Sequence, residues 1–341
     1  MSRPRAVLQV ASTKGRGGIV TAIRHYARAF AQCGVPCTTL YRGPALDALK
    51  ADGVDVVKAP ELLFTPLAAL AHGRGLRREV EERLNGAPEI IVVHSDKALS
   101  AMRALWPRAA IVAPCHSDKF KRKRRADVVV TLNPTQHRAA TAALKDSSAR
   151  PFLLGNPFIP EPTTPPPDGE PRVVFCGRFI DTKDPGLLLR AARHLPVSPR
   201  LVFIGAGPLE GALKEEVGAS GLEHTFTGWQ RRPFDHIAVT DILVLPSSWE
   251  GLPYMIQEAL AHGVGVVAAD NPGNRYALGD GAFGELFPPG DAERLASILE
   301  RTLAAPAALR EKAAHGKAAL TERFGPEAFV RALALATSAT N

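Results

Sequence analysis

Glu250 and Glu258 stand with seven residues between them inside a run from Ser247 to Asp270: Ser-Ser-Trp-Glu-Gly-Leu-Pro-Tyr-Met-Ile-Gln-Glu-Ala-Leu-Ala-His-Gly-Val-Gly-Val-Val-Ala-Ala-Asp. The apolar stretch Leu243 to Pro246 reads as the end of a strand. Pro253 suits the first turn of a following helix, because its missing N–H is not needed there and its φ is already close to helical. Glu250 is thus expected in a strand-to-helix loop and Glu258 on the helix, more than a turn in. Backbone N–H groups at that helix start, near Gly251, carry partial positive charge and favour phosphate. Two carboxylates beside an anion-binding turn suit a ligand with hydroxyls that need acceptors and a diphosphate that needs donors, the chemistry of a nucleotide sugar.

Other residues point the same way. Arg178 follows the apolar run Val173 to Cys176, and Lys183 precedes Asp184-Pro185-Gly186 at the next expected helix start, so both cations are aimed where a departing diphosphate would be neutralised. Ser12-Thr13-Lys14-Gly15-Arg16-Gly17-Gly18 follows the first apolar run and opens a helical pattern; glycines there let the backbone approach a phosphate closely. The spacing is not Gly-x-Gly-x-x-Gly, and no Gly-Lys-Ser/Thr closes a P-loop. His94, in Val-Val-His-Ser-Asp, and His116, in Ala-Pro-Cys-His-Ser-Asp, are placed at the ends of two strands. Neither His-Glu-x-x-His nor Asp-x-Asp accompanies them, so no required metal is expected.

The elements that must position these groups show a strand–helix rhythm. Short Val- and Ile-rich runs at residues 6–11, 35–41, 54–57, 90–94, 110–113 and 128–132 alternate with helical patterns such as Ile19 to Ala31, which predicts buried strands of a parallel sheet. Seven prolines between Pro157 and Pro171 exclude a helix or central strand and predict a stiff, extended linker. The rhythm restarts at 172–176, 201–204, 241–245 and 264–269, and residues 292–337 are helical, broken at Pro306 and at Gly325-Pro326. The predicted fold is α/β with two Rossmann-like, doubly wound domains facing a cleft: residues 1–156, a linker at 157–171, and residues 172–325.

A chain of 341 residues with 45% hydrophobic and 22% charged residues has the composition of a two-domain globular protein rather than a disordered one. No run reaches the roughly 18–20 apolar residues of a membrane helix, and none has a signal-peptide core, so a cytoplasmic location is expected. Cys33, Cys37, Cys115 and Cys176 lack paired spacing and read as free thiols. The net charge of +8 favours a polyanionic partner. Six of the seven residues Lys119 to Arg125 are cationic, a density that suits a solvated face, anionic lipid or a phosphorylated glycan better than nucleic acid, for which no recognition motif is present.

The Glu250–Glu258 segment resembles the Glu-x7-Glu signature of retaining glycosyltransferases of GT-B architecture, specifically the large family 4, and matching segments fall in order from Gly17 to Glu258. The resemblance implies transfer of a sugar from a nucleoside-diphosphate sugar to a glycan or lipid-linked acceptor, in lipopolysaccharide or cell-envelope polysaccharide synthesis at the inner face of the cytoplasmic membrane. It implies no cofactor beyond the donor substrate. Glu250 and His116 would contact the donor sugar, Arg178 and Lys183 clamp its diphosphate, and Gly17, Gly18 and Gly251 face the phosphates. Glu258 would hold the ribose hydroxyls, and Trp229, in the loop Thr227 to Arg231, would lie beside the base. The family also implies that a final helix, residues 326–341, returns to the first domain. Leu252-Pro253 and Asn156-Pro157 depart from the common Phe-Gly and Asn-Gly-Val patterns. A nucleotide-sugar epimerase of the same architecture and a non-catalytic nucleotide-sugar binding protein are the alternatives.

Overall fold

The computed structural model describes residues 3–15, 17–64 and 68–338. Its two compact units are Met1–Ile159 with Thr321–Asn341, and Pro160–Leu320.

The first unit is built on a parallel sheet of β1 (Val7–Ser12), β2 (Cys37–Arg42), β3 (Val56–Lys58), β4 (Ile90–Val93), β5 (Ala110–Pro114), β6 (Val128–Thr131) and β7 (Arg150–Leu153). The strand order is β3-β2-β1-β4-β5-β6-β7. Its helices are α1 (Gly18–Gln32), α2 (Leu46–Ala51), α3 (Ala68–Leu84), α4 (Leu99–Leu105) and α5 (Pro134–Leu144). Strands buried on both faces explain why the apolar runs are continuous rather than alternating. α1 buries Val20, Ala22, Ile23, Tyr26, Ala29 and Phe30, a stripe at three- and four-residue spacing.

The second unit repeats the plan with β8 (Val173–Cys176), β9 (Leu201–Ile204), β10 (His224–Gly228), β11 (Ile242–Leu245), β12 (Gly265–Ala269) and β13 (Glu285–Phe287). All its paired strands are parallel, in the order β10-β9-β8-β11-β12-β13. Helices α6 (Leu187–Ala192), α7 (Glu210–Ala219), α8 (Tyr254–Ala261), α9 (Pro272–Ala277), α10 (Ala292–Ala304) and α11 (Pro306–Phe324) follow, and α12 (Pro326–Ser338) is last. In each sheet the order reverses beside the unit's first strand, between β1 and β4 and between β8 and β11. That reversal point is where open α/β sheets leave a crevice at the strand carboxyl ends.

α12 lies on α1, with Phe329 edge-on to Tyr26 (ring centroids 4.8 Å) and tilted against Phe30 (6.1 Å). The last three residues of the expected 326–341 segment lie outside the described residues.

The proline-rich segment differs from a free spacer. Residues 157–171 contain no helix or strand, as the missing proline donors require, but they are fastened along their length. Phe158 N–H donates to the Phe324 carbonyl (2.8 Å) and Ile159 N–H to His25 Nδ1 (3.2 Å). Beyond the unit boundary, Thr164 N–H donates to Asp235 (2.8 Å), Arg232 to the Pro162 carbonyl (2.7 Å), and Thr163 Oγ1 lies 3.3 Å from His262 Nδ1. Pro160 to Pro171 is therefore a strap on the second unit, and the boundaries fall at 159/160 and 320/321 rather than at 156, 172 and 325.

Candidate functional site

The second-unit residues gather at the carboxyl ends of the adjacent strands β8 and β11. Glu250 lies in the loop between β11 and α8, which is held from two sides. Ser248 N–H donates to the Thr182 carbonyl (3.0 Å), and Asn271 Nδ2 donates to the Ser247 carbonyl (2.8 Å). The first contact joins the Glu250 loop to the turn Asp181–Lys183, and Lys183 Nζ is ion-paired with Glu250 Oε1. The two side chains are 24% and 11% exposed, so the pair is largely desolvated. Asp184, next in the chain, has φ 42° and ψ 58°, a left-handed conformation that Asp tolerates better than most residues, and Arg190 bonds its carboxylate (2.6 Å).

Arg178 differs from Lys183. It is exposed just past β8, and no described residue bonds its guanidinium. The two cations expected as a matched clamp are thus one uncommitted guanidinium and one ammonium already neutralised by Glu250. Glu258, half-buried on α8, lies close enough to Cys176 at the end of β8 that its charge adds to the effect of burial in raising that thiol's pKa. Glu250, Glu258, Arg178 and Lys183 are therefore brought to one edge of one sheet. Pro253 precedes α8 with ψ 118° and caps it, instead of forming its first turn.

Two glycine positions hold this edge together. At Gly205 (φ +138°) a Cβ would lie 1.9 Å from the Gly177 carbonyl oxygen, and at Gly207 one would lie 2.3 Å from that of Phe179. The Gly-Ala-Gly-Pro turn is accordingly a packing requirement of the Arg178 loop. Gly273 and Asn271 were not among the expected residues. A Cβ on Gly273 would lie 2.4 Å from the Glu250 carbonyl oxygen, and Asn271 Oδ1 accepts from Gly273 N–H (3.1 Å) and Asn274 N–H (3.0 Å), capping α9 behind Glu250. Their sequence signal was an Asn-Pro-Gly helix start. Trp229, after β10, is 54% exposed, and Trp249, beside Glu250, is 41% exposed.

In the first unit, Gly17 caps α1 and Gly18 begins it, just past β1. A Cβ at Gly18 would meet no atom within 4 Å, so the fold itself does not demand glycine there. His94 follows β4 and His116 lies two residues past β5, their rings stacked with centroids 5.3 Å apart. His94 Nδ1 is 3.0 Å from His116 Nε2, and His94 Nε2 is 3.0 Å from Gln9 Oε1. Burial pushes the His94 pKa well below the ordinary value, with His116 contributing; burial and then the Lys123 charge bring His116 down to about 3. Both rings are neutral at physiological pH. Gln9 is a missed residue whose signal was legible, a lone amide inside the apolar run Val7 to Ala11.

The basic run needs correction as a continuous cationic face. Lys123 is buried and paired with Asp96 (2.6 Å), leaving Lys119, Lys121, Arg122, Arg124 and Arg125 exposed. Asn156 accepts from the Tyr26 hydroxyl (3.1 Å) inside the first unit, which gives it a structural role. All four cysteines are free thiols, with Cys33 and Cys115 buried and Cys37 and Cys176 half-buried. Among the described residues there is no metal-binding cluster of His, Cys, Asp or Glu, and no helix is long and apolar enough to cross a membrane.

Residues 161–319 match the family model described as "Glycosyl transferases group 1", a span nearly coincident with the second unit. The match covers somewhat less than half of the chain. The chain is 33% identical over 171 residues to the lipopolysaccharide core biosynthesis glycosyltransferase LpsE of Rhizobium meliloti, covering 49% of each. It is 32% identical over 160 residues to the alpha-D-kanosaminyltransferase of Streptomyces kanamyceticus, covering 45% of this chain and 41% of that protein. The matches thus span about half the length of these curated relatives or less. Among solved structures, Anabaena HepE in complex with UDP and glucose superposes with a TM-score of 0.76 at 17% identity, covering 98% of this chain and 99% of that one. This likeness concerns the fold, which is the two-domain α/β GT-B fold.

Proposed function

We propose that the chain is a glycosyltransferase that moves a sugar, with retention, from a nucleoside-diphosphate sugar to a glycan or lipid-linked acceptor in lipopolysaccharide or cell-envelope polysaccharide synthesis. The observation that carries the reading is the convergence of Arg178, Lys183, Glu250 and Glu258 at the ends of β8 and β11 within the residues that match the group 1 glycosyltransferase model. The resemblance to LpsE supports the class of acceptor, and the UDP and glucose bound to HepE support the class of donor.

In this reading Glu258 accepts hydrogen bonds from the ribose hydroxyls, Arg178 meets the diphosphate, and Glu250 orients the donor sugar while Lys183 holds it in place. The acceptor oxygen bonds to the anomeric carbon as the bond to the diphosphate oxygen breaks on the same face, and the acceptor's proton passes to the leaving phosphate. The protein's contribution is orientation and stabilisation of the charge that develops on the diphosphate. Gly17, Gly18 and Gly251 supply backbone N–H groups toward phosphate, Trp229 lies beside the base, and His116 accepts from a carbohydrate hydroxyl. The exposed cations of the run Lys119 to Arg125 favour a site of action at an anionic membrane surface.

Calorimetry with UDP-, GDP- and ADP-sugars tests the reading directly. One nucleotide should bind, and Glu258→Ala should weaken it by about 1.5–3 kcal/mol, the worth of a hydrogen bond to a charged acceptor. Unchanged affinity in Glu258→Ala would remove the assignment of that residue, and failure of all three sugars to bind would remove the transferase reading.

A further inference from the structure

Gln9 is fully buried at the centre of β1, and its amide has only one orientation that satisfies its neighbours. Nε2 lies 3.3 Å from the Ile23 carbonyl oxygen, 3.4 Å from Thr39 Oγ1 and 3.5 Å from Cys37 Sγ. The Ile23 carbonyl only accepts, so the amide nitrogen must face it and Oε1 must face His94. An amide oxygen likewise only accepts. His94 Nε2, 3.0 Å away, therefore carries that ring's proton, and in the neutral ring Nδ1 is bare. His116 Nε2, 3.0 Å from the bare Nδ1, must then donate, which leaves His116 Nδ1 without a proton. No described residue bonds that nitrogen. The chain of three side chains thus has a fixed polarity that starts at a backbone carbonyl and ends on an open lone pair.

The surroundings keep this polarity in place. Tyr26 stands edge-on to His94 at 5.0 Å and fixes the plane of the ring. The charged groups near His116 are committed elsewhere: Lys123 to Asp96 (2.6 Å) and Asp118 to Gln136 (2.8 Å). The adjacent Cys115 thiol is held protonated by burial, its pKa pushed up to about 12.

We propose that Gln9 and His94 are positioning residues that lock His116 in the Nε2–H tautomer, so that its Nδ1 accepts a hydrogen bond from a hydroxyl of bound carbohydrate. The identity of the hydroxyl rests on the transferase reading; the tautomer does not. His116 then acts as a neutral acceptor, not as a general acid, and a sugar lacking that hydroxyl leaves a lone pair facing nothing.

Long-range 1H–15N NMR on the full chain with labelled histidine tests the lock without ligand. The expected result is a single form for both rings, Nε2 protonated and Nδ1 bare, unchanged from about pH 8 to about pH 5.5, where an ordinary histidine titrates. A His116 that carries its proton on Nδ1, or that becomes cationic in that range, overturns the proposal. His94→Phe preserves ring volume but removes the acceptor, whereas His94→Asn loses volume but places an amide oxygen near the Nδ1 position. The lock predicts that the second His116 tautomer appears in His94→Phe and disappears in His94→Asn, and that KM for the sugar donor rises in the first and is restored in the second. A packing role for His94 predicts the reverse order, and that result would also overturn the proposal. The wild-type spectrum stands by itself if a variant does not fold, and it is independent of whether the chain transfers sugar.

Discussion

Lys183 and Arg178 are five positions apart and chemically alike, yet they enter the site on different terms. Lys183 is ion-paired with Glu250 in a largely desolvated contact, so Lys183→Met leaves a carboxylate without its partner. This should cost about 1–3 kcal/mol of stability, below the full penalty of a wholly buried pair because the site retains some solvent. Arg178→Ala should change stability by no more than about 0.5 kcal/mol, since no described residue bonds its guanidinium, while lowering nucleotide-sugar affinity if the proposed function holds. Urea unfolding with calorimetry on both variants checks this, and equal destabilisation would contradict the distinction. The sequence identified both cations because a local strand–loop–helix reading suffices to place them. It could not separate them, because Glu250 is 67 residues from Lys183 and only the pairing of β8 with β11 brings the two together. Gln9 is the converse case, since a buried amide in an apolar strand was visible in the sequence but its partner His94 was not.

At the level of elements, the Glu250 loop depends on the helix behind it. α9 approaches so closely that a Cβ at Gly273 would lie 2.4 Å from the Glu250 carbonyl oxygen, and that oxygen belongs to backbone, which cannot swing aside as a side chain can. Gly273→Ala should therefore displace the loop and lower activity by more than tenfold, with a stability loss of about 1–3 kcal/mol from overpacking. Gly18→Ala is the contrast: a helical position with open space should gain up to about 1 kcal/mol from helix propensity, and any fall in nucleotide affinity then measures backbone access to phosphate. Thermal melts and nucleotide titration of both variants decide the point. Central strands were legible within one or two residues, as Leu201 to Ile204 shows. β7, β10 and β13 were not, because as sheet edges they are only partly buried and lack a continuous apolar run.

On the scale of the whole molecule, the first unit carries buried neutral histidines that make it sensitive to acid. His25 lies at about 3 against an ordinary 6.5, because burial and then the charges of Arg28 and Arg24 oppose its protonation. The unfolded chain takes up this proton as pH falls through 6.5, and the folded chain does not until about 3. The stability due to neutral His25 is therefore fully present above 6.5, declines between 6.5 and 3, and is constant below that. At about pH 5 the loss from this residue is about 2 kcal/mol, and His94 and His116 act in the same direction. His25 accepts from Ile159 N–H at the exit of the unit, so protonation also removes that bond. Buried Trp106 reports on this unit when Trp229 and Trp249 are replaced by Phe. Its urea midpoint should fall between about pH 7 and about pH 5, by less in His25→Gln, and an unchanged midpoint would contradict the assignment. The two-domain plan was legible because the strand–helix rhythm stops and restarts around the prolines. The strap was not, since its fastenings to Asp235 and His262 lie far along the chain.

The first unit is discontinuous, with Phe329 on α12 closing over Tyr26 and Phe30 on α1. During synthesis this unit emerges first but is completed last, because its sheet ends at Leu153 and α12 begins only at Pro326. The second unit, contiguous from Pro160 to Leu320, has its whole core available while the first still exposes an aromatic groove along α1. At about 5–20 residues per second that exposure lasts on the order of ten seconds or more, the interval in which a chaperone would engage a nascent chain. A ribosome-bound chain in which residue 320 is followed by an unstructured linker long enough to clear the exit tunnel should resist protease in its second unit and be cut in its first, and equal resistance of both would show that α12 is dispensable.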